Sequence, residues 1–198
     1  MLKRLFDILI SFLSLIFLVP VFVIIALLIV FDSKGGIFYS QLRVGKNQKD
    51  FKLLKFRTMY GGSEKKGLLT VGESDDRITS TGKWLRKFKL DELPQLLNIL
   101  KGQMSFVGPR PEVRKYVDLY NEQQKQVLSV RPGLTDYASI EYSNENEILA
   151  KYADPEKAYI DIIMPDKLNL NLKYIKEKSL FVDLKIIFMT IGKVFVSH

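Results

Sequence analysis

Twenty-four consecutive residues, from Ile8 to Phe31, carry no charge, and only Ser11, Ser14 and Pro20 interrupt their apolar character. About 20 such residues span the hydrocarbon core of a bilayer, so the run predicts a membrane-embedded helix. A secretory signal peptide is the rival, but the run outlasts an h-region and offers no small-residue cleavage site. Pro20 divides it into two arms of about 12 residues, each roughly 18 Å long if helical. Proline removes one backbone hydrogen bond and bends a helix; Ser14 and its neighbours stand where they can re-satisfy the carbonyl freed near Ile16. Two placements stay open: arms that dip into the bilayer and return to the same face, or a kinked helix that spans it with the N-terminus outside. Lys3 and Arg4 precede the run, and Lys34, Arg43, Lys46, Lys49 and Lys52 follow it. The positive-inside rule prefers both ends cytoplasmic, without deciding between the two.

Beyond a membrane segment over residues 1–35, the 198-residue chain leaves room for one catalytic-sized domain, 36–198. Its formal charge of +8 suits an anionic partner: nucleic acid, phospholipid head groups or a phosphorylated substrate. Nucleic acid is the weakest of these, because no recognisable binding module is present and the membrane run would be unexplained. Cysteine is absent, which excludes disulfides, thiolate nucleophiles and cysteine zinc sites. The only histidine is His198, the last residue, a poor place for a fixed catalytic group. Acid–base or nucleophilic chemistry falls to carboxylates, Lys, Tyr, Ser or Thr.

Ile37–Val44 and Phe51–Met59 are β-prone runs joined by a Gly45–Asp50 turn, a hairpin pattern. Lys55 and Arg57 share a strand face about 7 Å apart, where they can grip a phosphate or face solvent and head groups. Tyr60–Asp76 carries four glycines and reads as a mobile loop or lid. Gly82-Lys83 is no P-loop, since Arg77 stands five residues before Gly82 and Trp84 replaces the hydroxyl residue. From Trp84 onward, Trp84, Leu85 and Phe88 oppose Lys83, Arg86, Lys87 and Lys89, a basic amphipathic turn for a membrane interface or for a core.

Asp91–Leu100 follows as a helix, with Leu93, Leu96, Leu97 and Leu100 at three- and four-residue spacing and Pro94 in the first turn. Asp91 and Glu92 then lie at its N-terminus, where backbone N–H groups and the dipole favour negative charge. An aspartate there is also an ordinary N-cap. Adjacent helical residues diverge by about 100°, so the two carboxylates suit different tasks rather than a symmetric pair. Gly108-Pro109-Arg110-Pro111 holds an arginine between two residues of fixed φ, which suits bidentate phosphate recognition or a plain turn. Glu112–Val130 reads as a polar helix, Arg131-Pro132-Gly133-Leu134-Thr135 as a turn, and Glu141–Asp166 as an acidic, solvated helix and loop with a weak option for metal. Ser179–Val196 is amphipathic, either core or a second interfacial helix.

Together these pieces resemble the bacterial sugar transferases, monotopic phosphoglycosyl transferases that act on polyprenol phosphate. The resemblance rests on the apolar N-terminus with its central proline, Phe38-Tyr39-Ser40-Gln41-Leu42-Arg43-Val44-Gly45, Lys55-Phe56-Arg57-Thr58-Met59 and Asp76-Arg77-Ile78-Thr79. It continues through Leu90-Asp91-Glu92-Leu93-Pro94-Gln95-Leu96-Leu97-Asn98, Lys101-Gly102-Gln103-Met104-Ser105-Phe106-Val107-Gly108-Pro109-Arg110-Pro111 and Arg131-Pro132-Gly133-Leu134-Thr135. It covers about residues 1–137 and the C-terminal helix. What it implies is a helix-rich α/β fold: a re-entrant membrane helix kinked at Pro20, with interfacial helices around a small catalytic domain that carries the hairpin. The domain would face the cytoplasm at the bacterial inner membrane. The implied reaction starts the membrane phase of glycoconjugate or exopolysaccharide assembly. Asp91 would attack the β-phosphate of a UDP-sugar, release UMP and hold the phosphosugar, which polyprenol phosphate then takes. Glu92 would assist, Asp91 and Glu92 would meet a Mg2+ ion, and Arg110 would hold phosphate, with Lys55, Arg57, Arg86 and Arg131 as further candidates. The sequence departs from the family pattern at Val19, where a serine is usual, at Asp136-Tyr137-Ala138-Ser139-Ile140-Glu141, and in the acidic insert. The competing reading is a non-catalytic, basic, membrane-anchored module that binds lipid or serves as a scaffold. The residues name neither the sugar nor an oligomeric state.

Overall fold

In the computed structural model, which describes residues 2–63 and 75–196, the apolar run forms one helix, α1 (Leu2–Asp32), continuous through Pro20. The two arms expected on either side of the proline are therefore a single element. Proline takes one hydrogen bond from a helix but its fixed φ is helical, so the turns on both sides hold. Thirty-one residues make about 46 Å of helix. Ser11 bonds back to the helix carbonyls, at 2.6 Å from Asp7 O and 3.1 Å from Ile8 O, well before the carbonyl near Ile16 expected to be satisfied by Ser14 and its neighbours.

One stripe of α1 meets the rest of the chain: Asp7, Ser11, Leu15, Leu18, Phe22, Ile25 and Ile29, at every third or fourth residue. Its other side, including Phe12, Phe17, Ile24, Leu27 and Phe31, is exposed, and α1 is the one helix among the described residues long and apolar enough to cross a bilayer. Both ends of the stripe are fastened to the same body. At the start, Lys3 Nζ donates to Val107 O (2.9 Å) and Asp183 Oδ2 (2.5 Å), Arg4 donates to Ile99 O (2.7 Å) and Leu100 O (3.0 Å), and Asp7 Oδ1 accepts from Ser105 Oγ (3.1 Å) and Phe106 N (3.2 Å). At the end, Asp32 Oδ2 accepts from Thr81 N (3.0 Å), and Arg57 Nη2 donates to Ile29 O (3.3 Å) and Ser33 O (2.6 Å).

The expected hairpin forms from β1 (Phe38–Val44) and β2 (Asp50–Phe56), antiparallel, with Phe38 opposite Phe56 and Val44 opposite Asp50. Its turn places Asn47 and Gln48 at positive φ. The second strand ends at Phe56, before Arg57. Most of the glycine-rich loop expected over Tyr60–Asp76 lies outside the described residues. Helix α2 (Ser80–Lys87), capped by the Thr79 hydroxyl, leads to α3 (Gln95–Leu100). Then β3 (Ser105–Val107), α4 (Arg114–Val117), and β4 (Gly133–Thr135), which pairs in parallel with β3, bring the Gly108–Pro111 and Arg131–Gly133 turns together. That pairing demands glycine: a Cβ on Gly133 would lie 2.1 Å from Gly108 N.

The polar helix expected over Glu112–Val130 is reduced to α4 and a 3-10 segment at Gln124–Ser129. Asn121 and Gln124 exchange side-chain bonds with each other's backbone N–H, both 2.9 Å, and such local bonds compete with helix. The acidic region is not the solvated stretch expected. Its short helices α5 (Tyr137–Glu141), α6 (Glu145–Leu149) and α7 (Pro155–Ala158) and the π turn after them send Leu149, Ala158, Tyr159 and Ile163 into the main core. There they meet Val113, Tyr116, Val127 and, from α8 (Met164–Glu177), Leu168 and Leu172. The last helix, α9 (Leu180–Val196), packs Ile186 against Val107 and Tyr174 but leaves Phe181, Phe188 and Ile191 exposed. It is both core and open apolar face.

Candidate active site

Leu90, Asp91 and Glu92 form one 3-10 turn that ends before Pro94, so the two carboxylates precede α3 rather than cap it. The aspartate N-cap expected from sequence is absent, since α3 starts one turn later, at Gln95, with Pro94 in the cap position. The turn is fixed from below by its leucines: Leu90 and Leu93 pack with Ile25, Ile29 and Phe56, and Leu96 packs with Phe51 and Leu53. That burial turns the acidic side chains away from α1. Lys89, immediately before the turn, holds a left-handed conformation at φ 56° and ψ 19°.

Asp91 and Glu92 are both buried, 5% and 9% exposed, and they are held very differently. Glu92 is clamped. Arg110 addresses it with both terminal nitrogens, Nη1 at 3.2 Å from Oε2 and Nη2 on Oε1, while Lys55 Nζ reaches Oε1 at 2.8 Å. Burial alone would raise the Glu92 pKa, but the charges of Arg110 and Lys55 overcome it and hold the carboxyl well below the usual range. Glu92 in turn raises the pKa of Arg110 against the opposing effect of burial. Among the described residues Asp91 has only a long contact, 3.4 Å from Oδ2 to Lys55 Nζ. The expected divergence of the two carboxylates therefore does not separate them: Lys55 reaches both, and they differ in how tightly they are bound.

A cavity of about 460 Å³ opens over these groups, lined on this side by Lys55, Thr58, Arg86, Lys89, Asp91, Glu92 and Arg110. Arg86 Nε donates to Thr58 Oγ1 at 2.9 Å; burial lowers its pKa and Asp91 acts in the opposite sense. The cavity continues over Tyr120, Tyr159, Lys167 and Asn171, so the acidic insert and α8 build its far wall. Such a cavity has room for a small charged ligand, with cations around one loosely held carboxylate. Among the described residues no three carboxylate, histidine or cysteine side chains converge as a metal cage; the donors at hand are Asp91 and Glu92.

Of the residues expected to contact phosphate, Lys55, Arg86 and Arg110 come together here. Arg57 touches the cavity wall, but its guanidinium is turned to Ile29 O and Ser33 O at the end of α1, where a cation suits the negative end of the helix dipole. It serves the helix. It also fills the space beside Gly35, where a Cβ would lie 1.9 Å from Nη1. Arg131 is not in the cavity: its Nε donates to Gly102 O at 2.8 Å, and it lines a separate cleft of about 290 Å³ with Lys46 and Lys49. Pro20 lies within α1, away from the carboxylates' polar partners. Sequence reasoning passed over Asp136, fully buried, whose Oδ2 accepts from Arg110 N at 2.9 Å and whose Oδ1 caps α5 through Ser139 N at 2.6 Å. Its signal was available: an aspartate three residues before a serine at a helix start is a cap pattern.

The description "bacterial sugar transferase" belongs to the family model that matches residues 1–197. The exopolysaccharide production protein ExoY of Sinorhizobium fredii is 38% identical, over 99% of this chain and 86% of its own length. The uncharacterized sugar transferase EpsL of Bacillus subtilis is 39% identical, over 100% and 89%. The UDP-glucose:undecaprenyl-phosphate glucose-1-phosphate transferase of Escherichia coli is 36% identical over 100% of this chain, which spans 41% of that longer protein.

Proposed function

The chain belongs to the bacterial sugar transferase family, and from that membership we propose that it is a phosphotransferase that moves a sugar 1-phosphate from a UDP-sugar to polyprenol phosphate. The single observation that carries the reading is the unequal carboxylate pair, a clamped Glu92 beside a loosely held, buried Asp91. An Asp91 oxygen attacks the β-phosphorus of the donor, the bond from that phosphorus to the bridging oxygen breaks, and UMP leaves with the electron pair. The phosphosugar stays on Asp91 as an acyl phosphate. A phosphate oxygen of the lipid then attacks the same phosphorus, the Asp91 carboxylate departs, and polyprenol diphosphate sugar forms. Neither displacement requires a proton from the enzyme when the attacking oxygens are ionised.

Within this scheme Arg110 and Lys55 keep Glu92 ionised and add positive potential where phosphate charge gathers. Arg86, across from Asp91, adds a third cation. Magnesium fits the donor set, because it takes one or two carboxylates and completes its shell with water and substrate phosphate; Asp91 and Glu92 would hold it. Bound there, the ion would offset diphosphate charge. The membrane arrangement follows from α1: Lys3, Arg4 and Asp7 at one end and Asp32 at the other are fastened to one body. A helix that crossed the bilayer could not place both ends on that body, so this supports an α1 that enters and leaves on one face; the basic residues flanking it favour the cytoplasmic one. A non-catalytic lipid-binding module, by contrast, has no use for two buried carboxylates beneath a polar cavity.

UMP release, measured across a panel of UDP-sugars with magnesium and polyprenol phosphate, tests the proposal. Release with at least one donor, lost by a factor of about 1,000 or more in Asp91→Asn, is the expected outcome. Full activity in that variant removes Asp91 from the role of nucleophile.

A further inference from the structure

Lys89 sits two residues before Asp91 and one after Phe88, at the join between an exposed apolar face and the carboxylate cavity. Trp84 and Phe88 are 47% and 37% exposed, their rings edge to face at 5.6 Å. Phe88 is three residues from Asp91, no more than about 10 Å of chain. The side chain of Lys89 is exposed and lines the cavity mouth, in electrostatic range of both Glu92 and Asp91. Lys55 and Arg110 spend their donors on Glu92. The Lys89 ammonium, in contrast, forms no hydrogen bond or ion pair among the described residues, so it stays available to an incoming anion.

Its backbone makes the choice of lysine costly. A left-handed conformation at φ 56° is one that glycine or asparagine adopts easily and lysine does not. Strain of this kind persists where the surroundings enforce it, and it gathers at functional sites.

Resting on the two-step reading above, we propose that Lys89 is the binding residue for the acceptor phosphate. The isoprenoid chain lies on the exposed Trp84 and Phe88 side, and the phosphate monoester reaches from there to the Lys89 ammonium. A phosphate held by Lys89 is delivered from the membrane side toward the phosphorus carried by Asp91. The donor's diphosphate meets Lys55, Arg86 and Arg110 on the inner side instead. In the second displacement an oxygen of the lipid phosphate bonds to that phosphorus and the Asp91–phosphorus bond breaks, with no further co-reactant.

The test compares Lys89→Gly, Lys89→Gln and Lys89→Arg in the full chain, reconstituted in nanodiscs. Glycine removes the cation while keeping the left-handed backbone, so it separates lost charge from lost shape. One readout is the exchange of labelled UMP into UDP-sugar without acceptor, which reports the donor step; the other is the KM for polyprenol phosphate. The glycine and glutamine variants are expected to raise the acceptor KM by about 10-fold or more while the donor KM stays within about two-fold, and arginine to restore most of the loss. An unchanged acceptor KM in Lys89→Gly overturns the assignment, as does a rise in donor KM of the same size. Absence of UMP exchange in the unaltered enzyme instead overturns the covalent two-step reading, and the assignment with it.

Discussion

Glu92 shows how a buried charge is made tolerable and useful at once. Removing a carboxylate from water is costly, and what offsets it here is a two-pronged arginine and a lysine on the same group. Because the folded-state pKa of Glu92 lies below its ordinary value, the ion pair stabilises the fold above the unfolded pKa of about 4.3, and the contribution is lost as pH falls through the lower folded value. Glu92→Gln leaves Arg110 without its counter-charge and is expected to cost about 3 kcal/mol near neutral pH. Thermal melting followed from pH 7 downward should show the gap between variant and unaltered protein narrowing below about pH 4. A gap independent of pH would mean that the pair contributes packing rather than charge. Asp91 and Glu92 were legible in the sequence as a place, because two acids beside a proline and a leucine repeat are distinctive. Their inequality was not, since it depends on Lys55 and Arg110, which lie 36 and 18 residues away in the chain.

At the scale of elements, the hairpin and α1 could be read from alternation and from an unbroken apolar run, both local signals. The β3–β4 pair could not. Three-residue strands 28 residues apart carry no periodicity, and only the turn glycines betray them. Yet this pair sets the site, because it places Arg110, whose backbone N–H is then tied to Asp136. Gly133→Ala puts a methyl within 2.1–2.7 Å of the Gly108 backbone, so the strands must part. A loss of about 2–3 kcal/mol in stability is expected, with a fall in UMP release through displaced Arg110. Unaltered melting and activity would show that the pair can shift freely. The acidic insert misled for a related reason: its charges advertised solvent, whereas Tyr159, Ile163 and Leu149 between them supply core.

At the scale of the molecule, the apolar run announced a membrane helix and left its path open, because residue type records hydrophobicity but not docking. The stripe from Asp7 to Ile29, with both ends fastened to one domain, supports a path that enters and leaves on the same side. A chain without cysteine makes this simple to test: Leu2→Cys and Ser33→Cys in sealed inverted vesicles should react with an impermeant maleimide alike, and labelling of residue 2 from the opposite side alone would mean a spanning helix. The larger claim is that one carboxylate takes a phosphosugar from a water-soluble donor and hands it to a lipid. A pulse–chase on the reconstituted enzyme tests it most directly. UDP-sugar labelled in the sugar, given without acceptor, should release UMP in about equal amount to enzyme and leave label on the peptide bearing Asp91. Polyprenol phosphate added afterwards should move that label to lipid. UMP released only when acceptor is present, with no label on the protein, would contradict the account.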